Sequence, residues 1–117
     1  MQFLVYDPNP IPEGSAPPSP EMMAEMGRFI EEATKAGVVV ATGALQPKGT
    51  RLRLSGGQFS VTDGPFIEAK ELLGGFAVIE AQSLEEALEW CKRFRKIVGD
   101  GESEIVPIFG PGDFGPA

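Results

Sequence analysis

The chain has 117 residues, which is one domain's worth of core and not two. With 42% hydrophobic and 23% charged residues it has the composition of an ordinary globular protein. Its net charge of −7 excludes nucleic acid as a partner, because phosphate binding needs clustered Lys and Arg, and it disfavours anionic membrane surfaces.

No apolar run approaches the ~20 residues that span a bilayer, and Met1-Gln2-Phe3-Leu4-Val5-Tyr6 lacks the basic start of a signal peptide. The expectation is a cytoplasmic protein. Cys91 is the sole cysteine and has no internal disulfide partner, which fits a reducing compartment. There is no histidine. That absence removes Ser-His and Cys-His nucleophilic catalysis, His-ligated metals and the commonest general base. Carboxylates and one thiol make a poor zinc site, so neither metal nor cofactor is expected.

Gln2–Tyr6 reads as a first strand. Residues 7–18 form a proline-rich loop in which prolines 8, 10, 12, 17 and 18 forbid regular structure. A loop of this length is either a partner-facing arm or a surface excursion. Ser19-Pro20-Glu21 starts a helix: Ser19 caps, Pro20 suits the first helical position, and Glu21 favours the positive end of the dipole. Met22, Met23, Met26, Phe29, Ile30, Ala33 and Ala36 form its apolar stripe, which is packing surface and not a cofactor box. Gly37 ends it.

Val38–Gly43 reads as a second strand, apolar on both faces and therefore central. Arg51–Leu54 and Gln58–Thr62 alternate around Gly56-Gly57, the pattern of a hairpin. Leu52, Leu54, Phe59 and Val61 share one face. Arg51 and Arg53 lie on the other, as a solvated face or an anion contact.

Turn chemistry, charge and aromatics concentrate in Thr62-Asp63-Gly64-Pro65-Phe66-Ile67-Glu68-Ala69-Lys70-Glu71-Leu72-Leu73-Gly74-Gly75-Phe76. Asp-Gly-Pro forces a change of direction there. Gly75–Ala81 is a further strand. Ser83-Leu84-Glu85-Glu86 is a capping box that opens a second helix, with a stripe of Leu84, Ala87, Leu88, Cys91, Phe94 and Val98 and with Trp90 on its flank. Cys91 in that stripe is a small core residue and not a nucleophile. Glu104–Phe109 is the last strand, and Pro107 puts it at an edge or a bulge. Residues 110–117 form an irregular tail.

The string from Thr62 to Phe76 resembles the signature of the DGPF branch of the YCII-related domain family, a bacterial family whose molecular function is largely unassigned. The resemblance runs from Met1 to about Phe114. The element order, strand–helix–strand–hairpin–strand–helix–strand, is that of a ferredoxin-like α+β fold with two helices on one face of an antiparallel sheet. The resemblance implies a dimeric α+β barrel, so a C2 homodimer is expected to cover the second sheet face. A ligand cleft is expected between helix and sheet or at the barrel mouth.

The wider family resembles an enzyme through a histidine near the first helix start and an aspartate. Met22 stands at the place of the histidine, so that dyad is incomplete here. Family members often show Glu-x-Arg-Pro near the end, where this chain has Glu104-Ile105-Val106-Pro107. Two functional readings follow. In the first, Asp63 is the catalytic or binding carboxylate of a cofactor-free isomerase- or lyase-like site, with Phe66, Glu68 and Lys70 contacting a small-molecule ligand. In the second, the protein is a regulatory docking module, since the family resemblance carries an association with sigma-factor signalling; an acidic chain docks on a basic protein. Asp63 also has a purely structural role open to it, holding the Asp-Gly-Pro turn.

Overall fold

The computed structural model describes residues 1–9, 16–45, 48–64 and 75–111. Four strands, β1 (Gln2–Tyr6), β2 (Val39–Ala44), β5 (Gly75–Glu80) and β6 (Glu104–Ile108), pair antiparallel in the order β2-β5-β1-β6. Helices α1 (Pro20–Lys35) and α2 (Leu84–Val98) make the crossovers. With β3 (Thr50–Ser55) and β4 (Gln58–Asp63) set aside as an inserted hairpin, this is the ferredoxin-like topology.

The helix starts follow from local chemistry. The Ser19 hydroxyl accepts from the Met22 N–H at 3.1 Å, and Pro20 opens α1. The Ser83 hydroxyl accepts from the Glu86 N–H at 3.2 Å, but Glu86 reaches back to the Gln82 N–H at 3.4 Å, one residue short of a reciprocal capping box. Gly37 (φ 78°) and Gly99 (φ 93°, ψ −160°) take positive-φ conformations, open to glycine, that release the chain from each helix.

One face of the sheet carries the core. Phe3 and Val5 of β1, Ala77 and Ile79 of β5, Val39 and Ile105 face Ala33 of α1 and Ala87 and Cys91 of α2. Phe3 and Ala87 are fully buried. The helices meet through Phe29, whose ring centroid lies 6.0 Å from that of Trp90 and 6.3 Å from that of Phe94. Arg93 stacks over Phe29 and Trp90 and pairs with Glu32 at 2.6 Å. That pairing holds the Glu32 carboxyl below its usual range and raises Arg93 further. The methionine stripe is only partly used: Met22 and Met26 are half-buried, while Met23 points to solvent.

The expectation that the Val38–Gly43 strand is central is corrected: β2 is an edge strand, because β5 inserts between it and β1. Val38 is buried just before the strand, a bulge falls between Val39 and Ala41, and Val40 is 54% exposed. The valine run therefore anchors the exit from α1 and does not span a two-sided core. Its anchors are Val38 N–H to Ala33 O at 2.9 Å and Glu80 N–H to Val38 O at 2.7 Å. β6 is the opposite edge, as Pro107 requires.

Strand alternation puts Leu4, Val78, Val106 and Ala41 in one row of the other sheet face, with Tyr6, Phe76, Glu104 and Gly43 in the next. Among the described residues no helix covers this face. The β3–β4 hairpin forms a two-stranded sheet of its own, with Leu52 opposite Val61 and Leu54 opposite Phe59. These four side chains are 60–70% exposed.

Candidate functional site

Asp63 closes the hairpin. It ends β4 opposite Thr50, the first residue of β3, and the Thr50 hydroxyl donates to Asp63 Oδ1 at 2.9 Å. One residue on, the Gly64 N–H donates to Gly49 O at 2.9 Å, so two bonds clamp the hairpin base. A cleft of about 520 Å³ opens there, lined by Lys48, Gly49, Thr50, Asp63 and Gly64. The Asp63 carboxylate is exposed, and its Thr50 bond orients one oxygen while the side chain borders the cleft. Lys48 also lines the cleft. Phe66, Glu68 and Lys70, the other residues expected to contact a ligand, lie outside the described residues.

The structure adds a pair that reading along the chain misses. The Tyr6 hydroxyl donates to Glu104 Oε2 at 2.5 Å across the β1–β6 ladder. This bond, with some burial and the nearby carboxylate charge, raises the Tyr6 pKa above its ordinary value. The pair sits in the row of the open sheet face that also holds Phe76 and Gly43. In the sequence Glu104 stands out only as a strand start and as the first residue of Glu104-Ile105-Val106-Pro107, not as a partner of Tyr6. The signal that would have found the pair is the antiparallel register Tyr6↔Glu104, which becomes readable only once β1 and β6 are known to be neighbours.

A smaller cavity of about 320 Å³ lies between α2 and β6, with Leu88, Cys91, Lys92, Ser103 and Ile105 in its walls. Arg95 spans it to hold the loop after α2, donating to the carbonyls of Gly99 (2.9 Å) and Asp100 (3.1 Å). Cys91 is buried, and burial pushes its thiol pKa up, which makes it a poor nucleophile at neutral pH. Among the described residues no cluster of three or more Cys, Asp or Glu is placed to hold a metal ion. Among them, too, no helix is long and apolar enough to cross a membrane.

The architecture is that of a ferredoxin-like α+β domain with an inserted hairpin and, among the described residues, an uncovered sheet face. Residues 1–110 match the YCII-related domain, and the chain belongs to that family. It is 36% identical over 94 residues to the uncharacterized protein R00369 of Rhizobium meliloti (strain 1021), covering 78% of this chain and 75% of the relative. Among solved structures it is similar to 5-chloro-2-hydroxyhydroquinone dehydrochlorinase (TftG) from Burkholderia phenoliruptrix AC1100 in complex with 2,5-dihydroxybenzoquinone. The identity is 15%, the coverage 96% of this chain and 97% of that one, and the TM-score 0.47.

Proposed function

We propose that this YCII-related protein is a cytoplasmic homodimer that binds a small polar molecule in the cleft at the hairpin base. The observation that carries the reading is the cleft of about 520 Å³ whose lining includes an exposed carboxylate, Asp63, and a cation, Lys48. Such a lining accepts an N–H or O–H from the ligand at Asp63 and donates to an oxygen at Lys48. The homodimer rests on the open sheet face: the row Leu4, Val78, Val106 and Ala41 is apolar, and a second copy covers it by pairing the same face across a two-fold axis.

If the site turns over its ligand, Asp63 is the group that moves the proton. The chain has no histidine, and its thiol is buried. Such a reaction is a cofactor-free isomerisation, in which the carboxylate removes one proton from carbon and returns it to another carbon, or an elimination, in which it takes the proton while the leaving group on the adjacent carbon departs with its bonding pair. Native mass spectrometry of the protein and of Asp63→Asn tests the reading. Retained mass on the wild type that is lost in the variant supports it. Equal retention by both removes Asp63 from the site.

A second reading is favoured by the exposed apolar face of the hairpin. A regulatory module of the kind associated with sigma-factor signalling would dock through such a surface. It predicts a hairpin patch that stays uncovered in the purified protein.

A further inference from the structure

The hairpin is built as if part of an interface is missing. An isolated two-stranded hairpin is marginal in water and needs something to pack against. Here Leu52 (65% exposed), Leu54 (60%), Phe59 (70%) and Val61 (66%) line one face of a hairpin that, among the described residues, pairs only within itself. Cross-strand register brings them into two adjacent pairs, Leu52 with Val61 and Leu54 with Phe59. A radius of gyration of 17.3 Å, against about 13 Å for a closed single domain of this length, shows how open the chain is.

Size identifies the occupant. The open face of the main sheet has four strands of five or six residues, a footprint of roughly 300 Å² at about 4.8 Å between strands and 3.3 Å per residue. A standard interface buries about 800 Å² of accessible surface on each partner, so a patch of this size gains from a second contact area beside it. The hairpin face adds roughly 200 Å² by the same arithmetic. Among the described residues the chain thus carries two uncovered apolar faces, and the hairpin raises their combined footprint to roughly 500 Å².

We infer that the β3–β4 hairpin is a dimer arm: its Leu52, Leu54, Phe59 and Val61 face packs on a second copy of this chain and extends the interface made by the open sheet faces. Two-fold symmetry makes the exchange reciprocal, so both arms are covered at once and the assembly closes. Because Asp63 and Thr50 clamp the base of that arm, seating the arm also fixes the cleft. The inference rests on the homodimer reading.

The test uses the full chain. Subunits labelled with heavy isotopes are mixed with unlabelled ones, and a photocrosslinking amino acid replaces Phe59. In parallel, sedimentation gives the dimer Kd of the wild type, of Leu52→Ser/Phe59→Ser, and of Val78→Asp on the sheet face. Crosslinks between heavy and light chains, with at least a tenfold rise in Kd for the hairpin variant, are expected. Crosslinks confined to one chain, or a hairpin variant with wild-type Kd, overturn the arm; if Val78→Asp still dissociates the dimer, the homodimer itself stands. A wild type that is monomeric at every concentration removes both. The hairpin substitutions replace exposed side chains, so circular dichroism of the variant at high dilution checks that the fold is intact.

Discussion

Two phenylalanines test where the energy of this fold resides. Phe3 is fully buried, facing α1 and α2 from the middle of the sheet between Ile79 and Pro107, whereas Phe59 is 70% exposed on the hairpin. Truncation of a buried Phe to Ala removes its transfer energy and leaves a cavity, at a cost of about 3–5 kcal/mol. At about 2.1 cal/mol/K per residue, unfolding a chain of this length has an entropy near 0.25 kcal/mol/K. Phe3→Ala should therefore lower Tm by roughly 12–20 °C. Phe59→Ala removes no intrachain core contact, so its cost in a dissociated chain is within about 0.5 kcal/mol, or about 2 °C. Calorimetry over a range of protein concentrations reads both. The Phe3 loss should persist at every dilution, and any Phe59 loss should shrink as the dimer dissociates. Equal shifts for the two variants, or a Phe3→Ala shift under about 3 °C, would refute the placement of the core on the helix-covered face.

Three further outcomes follow. Asp63→Asn keeps an oxygen to accept from Thr50, so its Tm should stay within about 2 °C of wild type while ligand retention in native mass spectrometry is lost; a collapse in stability instead would assign Asp63 to holding the hairpin base. Tyr6 is the single tyrosine, so phenolate absorbance near 295 nm follows it alone. Its pKa is raised, so the stability its Glu104 bond confers is present below the ordinary tyrosine pKa and disappears as pH rises through the higher folded value. Glu104→Gln should bring the titration midpoint down, and a midpoint that does not move would contradict the Tyr6–Glu104 bond. Cys91 should react with a thiol reagent at least about a hundredfold more slowly in the native protein than in guanidinium, given its burial and raised pKa; comparable rates would mean that α2 does not pack as described.

Features set by neighbouring residues were legible in the sequence. Ser19-Pro20 and Ser83 begin the two helices, Gly56-Gly57 turns the hairpin, and Ala33 and Cys91 are core because they lie on the apolar stripes of their helices. Features set by which strand neighbours which were not. The valine run at 38–40 has the apolar character of a central strand, yet β5 takes the position between it and β1. Tyr6 and Glu104 are 98 residues apart and meet only through ladder register. The hairpin's alternation foretold its apolar face, but alternation alone does not show whether such a face meets the parent domain or stands clear of it. Of the expected site residues, Asp63 ends β4, and its oxygen accepts from the Thr50 hydroxyl across the ladder, a contact that reading along the chain does not show.

Native mass spectrometry of the purified protein, beside a denatured control, tests the central claim most directly. A dimer that carries a small extra mass, lost on denaturation and absent from Asp63→Asn, is the predicted result. A monomer contradicts the account, because the Leu4–Val78–Val106 face would then stand uncovered in solution. A dimer in which wild type and Asp63→Asn retain the same mass contradicts the assignment of the cleft.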